Sequence, residues 1–183
     1  MIPAFNHNNV IPPHLGNPTQ ISDVSPYECG IVEFCKHFAT SSERIEILKG
    51  FVSFRMQMIE NGIIHGYQWI DGSFSENIEE SECRNPNDID VVTFSKGLTP
   101  EFYNILKSSF PEFVSPAESK SKYKVDHYTV PFDINPEFTV EYTRYWCQLF
   151  SHNRNGIWKG MLKLPLYLNR EEDEKALSYL NSL

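Results

Sequence analysis

The sequence predicts an α+β fold, a small mixed β-sheet with helices packed on it. Three observations predict it. Apolar residues recur at helical and strand periods in the order helix, strand, strand, helix, strand, helix, strand, helix. A length of 183 residues with 40% hydrophobic content is enough for one sizeable core. Between Gln68 and Phe94, one β-type run ends in Gly72-Ser73 and a second opens on Asp88-Ile89-Asp90. We expect a single domain over 1–183, with 1–27 as an irregular arm and 28–62 as a helical N-terminal extension.

Pro12-Pro13, Pro18 and Pro26 deny the arm a regular helix. Val10, Ile11 and Leu15 are its apolar anchors. Residues 27–38 read as a short helix, because Ile31, Phe34, Cys35 and Phe38 recur at its period. In the next helix Thr40 and Glu43 form a capping box. Ile45, Leu48, Val52, Met56 and Ile59 then line one face, and Asn61-Gly62 stops it. Residues 63–71 and 88–95 are the first two core strands. The acidic connection 75–86 reads as a solvated loop, with closure over a substrate as the alternative.

Thr99-Pro100 is an N-cap followed by Pro at N1. The helix it opens runs to about Phe110 and is expected to bury Phe102, Ile105, Leu106 and Ser109. Residues 122–130 read as a third strand, with Tyr123, Val125, His127 and Thr129 on one face and Lys122, Lys124, Asp126, Tyr128 and Val130 on the other. Asp126 is an unusual mid-strand residue. Thr139 is expected to cap a helix through about His152, whose stripe of Tyr142, Tyr145, Trp146, Leu149 and Phe150 reads as core. Residues 157–166 give a further strand, and Asn169 with Glu172 caps a last helix over 170–182.

The stretch Gln68–Phe94 concentrates the chemistry. Asp88 and Asp90, two apart on a strand, project to one face about 6 to 7 Å apart. Two such carboxylates repel unless a cation lies between them. The small Gly72-Ser73 turn lets backbone N–H groups and a hydroxyl approach an anion. Lys159 reads first as a solvated lysine and second as a phosphate ligand.

A net charge of −8 argues against a sequence-independent grip on DNA or RNA, which relies on Lys and Arg. Cys29, Cys35, Cys83 and Cys147 form no CxxC pair and no zinc pattern with the His residues, so reduced thiols in a cytoplasmic protein are expected. The start of the sequence has no signal-peptide pattern. No apolar run approaches the ~18 residues of a membrane span.

Gly72-Ser73 after an apolar strand, followed by Asp88-Ile89-Asp90-Val91 and by Asp126 on a later strand, resembles the nucleotidyltransferase superfamily of the DNA polymerase β type. Four segments in order, Val10-Ile11-Pro12-Pro13, Ile70-Asp71-Gly72-Ser73-Phe74, Pro86-Asn87-Asp88-Ile89-Asp90-Val91-Val92 and Phe150-Ser151-His152-Asn153-Arg154-Asn155-Gly156 leading to Lys159-Gly160, look like a little-characterised group of short prokaryotic proteins with that fold. The resemblance implies a polymerase β-like fold in which Asp88, Asp90 and Asp126 are catalytic and hold Mg²⁺ or Mn²⁺. Gly72 and Ser73 would contact the triphosphate, with Lys159 beside them. The implied reaction moves a nucleoside monophosphate from an NTP to an acceptor hydroxyl on a tRNA, a protein or a small molecule. In this group such activity can belong to a toxin–antitoxin or phage-defence module with a partner protein. Two features depart from the superfamily pattern. The spacer 74–87 is long and acidic, and no basic residue directly follows Gly72-Ser73; Arg84, Lys122, Lys124 and Lys159 are the candidates. A non-catalytic nucleotide-binding or partner-binding protein is the alternative, and convergence of the three Asp side chains discriminates the two.

Overall fold

The computed structural model describes residues 1–167 and 169–183. Its elements are β1 (Tyr27–Glu28), α1 (Ile31–Phe38), α2 (Ser42–Glu60), β2 (Gly66–Asp71), α3 (Ile78–Glu82), β3 (Ile89–Ser95), α4 (Pro100–Ser109), α5 (Pro111–Val114), α6 (Pro116–Tyr123), β4 (Val125–Pro131), α7 (Pro136–Phe150), β5 (Leu162–Pro165) and α8 (Glu171–Asn181). The five strands form one mixed sheet in the order β1-β5-β2-β3-β4. β2 runs antiparallel to both β3 and β5, while β3–β4 and β1–β5 are parallel. A parallel pair needs a crossover, and α4, α5 and α6 supply it between β3 and β4. The α+β class and the small mixed sheet therefore stand. Among the described residues no helix is long and apolar enough to cross a membrane.

Alternation along the strands divides the sheet into two faces. Ile70, Ile89, Val91, Val125, Leu162 and Leu164 join the main core beneath α1, α2 and α8. Each such side chain, fully buried, contributes roughly 1.5–3 kcal/mol. Trp69, Val92, Phe94 and Val130 face the other way and form a smaller cluster with Trp146 and Phe150 of α7.

Several local expectations shift. Tyr27–Glu28 is an edge strand and α1 begins at Ile31, with Ile31, Phe34, Cys35 and Phe38 buried as the periodicity requires. Ser41, not Thr40, caps α2, its Oγ accepting from Arg44 N at 3.2 Å. The buried face of α2 includes Arg44 and Arg55, so Ile45, Met56 and Ile59 lie only at its margin. Of the residues expected to be buried on α4, Leu106 is buried and Phe102 half-buried, while Ile105 and Ser109 are exposed. α5 and α6 occupy a segment where no helix was expected, each opened by a Pro at N1, and α6 takes in Tyr123. Asn135, not Thr139, caps α7, accepting from Phe138 N at 3.2 Å. Within 157–166 only Leu162–Pro165 is strand, and Arg170 occupies the N-cap of α8 while Asn169 Oδ1 accepts from Glu171 N at 3.2 Å.

The arm is part of the core. Ile11 is fully buried; its carbonyl accepts from Gly160 N at 2.8 Å, and Asn9 O accepts from Asn77 N at 2.9 Å. Gly160 must be glycine here, because a Cβ would stand 2.4 Å from Pro12 O. Leu15, by contrast, is exposed.

Candidate functional site

Register assembles the site. The antiparallel pairing of β2 with β3 sets Asp71 opposite Asp90, and the parallel pairing of β3 with β4 sets Asp90 beside Asp126. Three carboxylate residues thus stand abreast on neighbouring strands, whose axes lie about 4.8 Å apart. They lie on the sheet face that carries α7, at the end where β2 leaves the sheet. Asp88, two residues before Asp90, completes the group. Asp88, Asp90 and Asp126 line one polar cleft; strand spacing predicts the first two to share a face, and the resemblance supplies the third. Asp71 joins them without having been singled out.

Burial and like charge act together on this row. Burial pushes the Asp90 carboxyl up to about 6, and the charges of Asp88 and Asp126 add to that rise against Lys159 and Lys120. Burial pushes Asp71 up to about 7, against the pull of Lys159. Asp71 and Asp90 therefore hold their protons more tightly than isolated carboxylates do.

Above the row sits the Gly72-Ser73 turn. Gly72 has φ +78°, and a Cβ there would lie 1.7 Å from Asp90 Oδ2. Only glycine lets the backbone pass this close to the carboxylate. Its carbonyl accepts from Lys159 Nζ and from Ser75 Oγ, each at 3.0 Å. Ser73 opens the 3₁₀ turn Ser73–Ser75 and lines the same polar cleft as Asp88 and Asp90.

Two buried cations anchor the segment that follows. Lys159 is 2% exposed; its Nζ lies 2.6 Å from Glu76 Oε1 and 3.2 Å from Asp71 Oδ2. Burial alone would lower its pKa, but Asp71 and Glu76 outweigh it and raise it, so the charge is kept. Lys159 is thus not a solvated lysine, and its ammonium is committed to carboxylates and the Gly72 carbonyl rather than free for a triphosphate. Arg44 reaches from α2 to the carbonyls of Phe74 and Glu76, each at 2.7 Å, and to Glu79 at 2.6 Å. The acidic spacer is accordingly not a solvated loop. It contains a 3₁₀ turn and α3, buries Phe74, Ser75, Glu76 and Ile78, and leaves Glu80 and Glu82 exposed.

The basic candidates divide. Arg84 lines the polar cleft and bonds Glu82 at 2.7 Å. Lys122 pairs with Glu112, and Lys124 with Glu46 at 3.2 Å, both elsewhere. The cation that the sequence reading missed is Lys120 of α6. Its Nζ pairs with Asp88 and lies 3.6 Å from Asp126 Oδ2, and the hydrogen bond to Asp88 holds its pKa above the usual value. Lys120 was missed because α6, which carries it, was not foreseen.

Two clefts flank the row and share Asp90, Asp126, Leu149 and Phe150. One, of about 440 Å³, is polar and carries Gly72, Ser73, Asp88 and Lys120. The other, of about 640 Å³, is walled by Tyr128 and the aromatic residues of α7. The α7 stripe is therefore only partly core: Trp146 and Phe150 are buried, while Tyr142, Tyr145 and Leu149 are 42–51% exposed.

The donors Asp88, Asp90 and Asp126 are hard oxygen ligands of the kind Mg²⁺ and Mn²⁺ take. The repulsion that Asp88 and Asp126 exert on Asp90 is what such an ion would relieve. As the side chains stand, no group of three or more His, Cys, Asp or Glu among the described residues is placed to hold a metal ion, and Lys120 spans Asp88 and Asp126 instead.

Comparison with curated proteins and with solved structures returned no match for this chain. A family model does match, over residues 3–165, which is most of the sequence. The carboxylate row, the glycine turn and Lys159 all fall inside that span, and the chain belongs to the family of unknown function DUF6932.

Proposed function

We propose that the chain is a metal-dependent nucleotidyltransferase of polymerase β-like fold, moving a nucleoside monophosphate from an NTP to an acceptor hydroxyl. The observation that carries this reading is the register of Asp71, Asp90 and Asp126 across three neighbouring strands, with Asp88 beside them under a glycine turn. Asp88, Asp90 and Asp126 would hold Mg²⁺ or Mn²⁺, which when bound would activate the acceptor oxygen and brace the triphosphate charge. Ser73 and the backbone of the Gly72-Ser73 turn offer donors to phosphate oxygens. Lys159 positions that turn through the Gly72 carbonyl. Lys120, Arg84 and Arg154 line the polar cleft beside the committed Lys159, placed to meet phosphate charge once Lys120 leaves Asp88. Asp126, which lines both clefts, is the carboxylate to take the acceptor proton.

The acceptor is a tRNA, a protein or a small molecule, and a partner protein in a defence module fits the same chemistry. The test is incubation with Mn²⁺ and each α-labelled NTP in cell extract. The expected result is one labelled macromolecule or metabolite that disappears with EDTA. Label that is absent throughout, or indifferent to EDTA, contradicts the reading.

One observation favours a second reading, a non-catalytic binding protein. Lys120 already neutralises part of the carboxylate group. That reading predicts nucleotide binding that is independent of divalent ions and unaccompanied by transfer.

A further inference from the structure

The 640 Å³ cleft has features that the carboxylate chemistry does not use. α7 runs from Pro136 to Phe150, yet only Trp146 and Phe150 are buried. Tyr142, Tyr145, Trp146 and Leu149 recur at intervals of three and four, so they share one helix face. Tyr128 approaches from β4, its ring 4.9 Å from that of Trp146. The Trp146 ring also lies 4.9 Å from Tyr145, edge to face, and its indole Nε1–H, shielded from water, has no acceptor among the described residues. An ordinary core would bury these rings. Here they line a concave space that opens onto Asp90 and Asp126.

We propose that this cleft seats the planar heteroaromatic base of a nucleotide, whose phosphates lie in the adjoining polar cleft. The inference rests on the nucleotidyltransferase reading and names the part of the substrate that reading leaves unassigned. Three facts on the molecule favour it. Aromatic side chains stand on both the sheet and the helix wall, which suits a flat ring, since base–aromatic stacking tolerates every base. The adjoining cleft carries the glycine turn, Arg84 and Lys120, which suit phosphate. The two clefts meet at Asp90 and Asp126, so a ligand spanning both crosses the carboxylate row midway. Arg144, held by Glu141 at 3.1 Å, is the cation lining the aromatic cleft among the described residues and is available to the edge of a base.

The test is tryptophan emission titrated, without metal, with adenosine, guanosine, cytidine and uridine, and in parallel with ribose 5-phosphate, inorganic triphosphate and choline. The inference expects saturable quenching by at least one nucleoside and none by ribose 5-phosphate or triphosphate. The quench should vanish in Trp146→Phe. Tyr142→Ser and Tyr145→Ser alter exposed side chains and should leave the fold intact by circular dichroism, yet weaken nucleoside binding about tenfold or more. Absence of any nucleoside quench, undiminished binding in the Tyr142→Ser/Tyr145→Ser double variant, or saturation by choline in place of nucleosides overturns it. Because metal and turnover are left out, a chain that binds nucleosides but transfers nothing keeps this inference and loses the transferase reading. A chain whose transfer shows an unchanged KM in the double variant does the reverse.

Discussion

The two faces of one sheet each carry a polar row, and the rows are built on opposite principles. On the core face, Arg55 of α2 bonds Asp173 of α8 at 2.6 Å, Gln68 of β2 at 2.6 Å and Pro165 O at 3.0 Å. Gln68 Nε2 donates to Thr93 Oγ1 at 3.1 Å, and Thr93 Oγ1 lies 2.8 Å from His127 Nε2. His127 Nδ1 ends the chain on Phe113 O at 3.0 Å. Phe113 O can only accept, so Nδ1 carries the proton and Nε2 accepts from Thr93. Charge and hydrogen bonds close on themselves; Asp173 Oδ2 alone lacks a partner among the described residues. On the α7 face, Asp71, Asp90, Asp126 and Asp88 set like charges abreast. A satisfied buried network fixes a fold. A row of like-charged carboxylates opposes the fold locally, a cost that the proposed cation would relieve.

The sharpest way to break this comparison is to remove the cation of the paired row. Arg55→Met leaves Asp173 buried without its partner and is expected to cost about 3–5 kcal/mol in urea unfolding. A loss under ~1 kcal/mol would show the core-face row to be no more than packing.

Next is pH. Burial pulls His127 down to about 3. Its folded pKa lies below the unfolded value, so the unfolded chain gains a proton near pH 6.5 that the folded chain refuses until about 3. This group therefore removes stability as pH falls through that window. His127→Gln is less stable than the parent at pH 7, and the gap should narrow by about 2–3 kcal/mol by pH 4.5. A constant gap contradicts the neutral assignment.

The α7-face row should respond with the opposite sign. The folded-state pKa of Asp90 is raised to about 6, so its ionised form costs stability that is absent below the unfolded value and present once pH passes 6. Asp90→Asn is expected to stabilise the chain by about 1–3 kcal/mol at pH 8, with the gain vanishing near pH 4. Destabilisation at pH 8 would mean that the row is as well satisfied as the other face.

The smallest effect belongs to Lys120, half exposed. Lys120→Met should change stability by less than about 1 kcal/mol by thermal melting. A larger loss would make Lys120 a structural part of the row.

How much of this was legible in the sequence follows from the range of the forces involved. Alternation placed β2, β3 and β4, and spacing placed Asp88 and Asp90 on one face, because side-chain direction on a strand is local; Asp126 was picked out by the family resemblance and its odd mid-strand position. Asp71 was not recognised, because its role depends on the β2–β3 register. Lys120 was missed because the short helix α6 was missed, although Ser115-Pro116 and Glu118 three residues after Ser115 form a start signal, Ser115 Oγ accepting from Glu118 N at 3.4 Å. The α2 face was shifted because Arg44 and Arg55 are buried, and an apolar period does not count arginines. Lys159 and the acidic spacer were read as solvated for the same reason: each of those charges finds its partner far along the chain, Lys159 in Glu76 and Glu79 in Arg44. The aromatic stripe of α7 follows the helical period of a core face, and only the tertiary structure leaves half of it open.

The most direct test of the central claim sets wild type beside Asp90→Asn with Mn²⁺ and ATP labelled at either the α- or the γ-phosphate. The account predicts that wild type transfers the α label to an acceptor and releases the γ label in pyrophosphate, and that Asp90→Asn, at least as stable, transfers neither. Transfer of the γ label, or undiminished α transfer by Asp90→Asn, would contradict it.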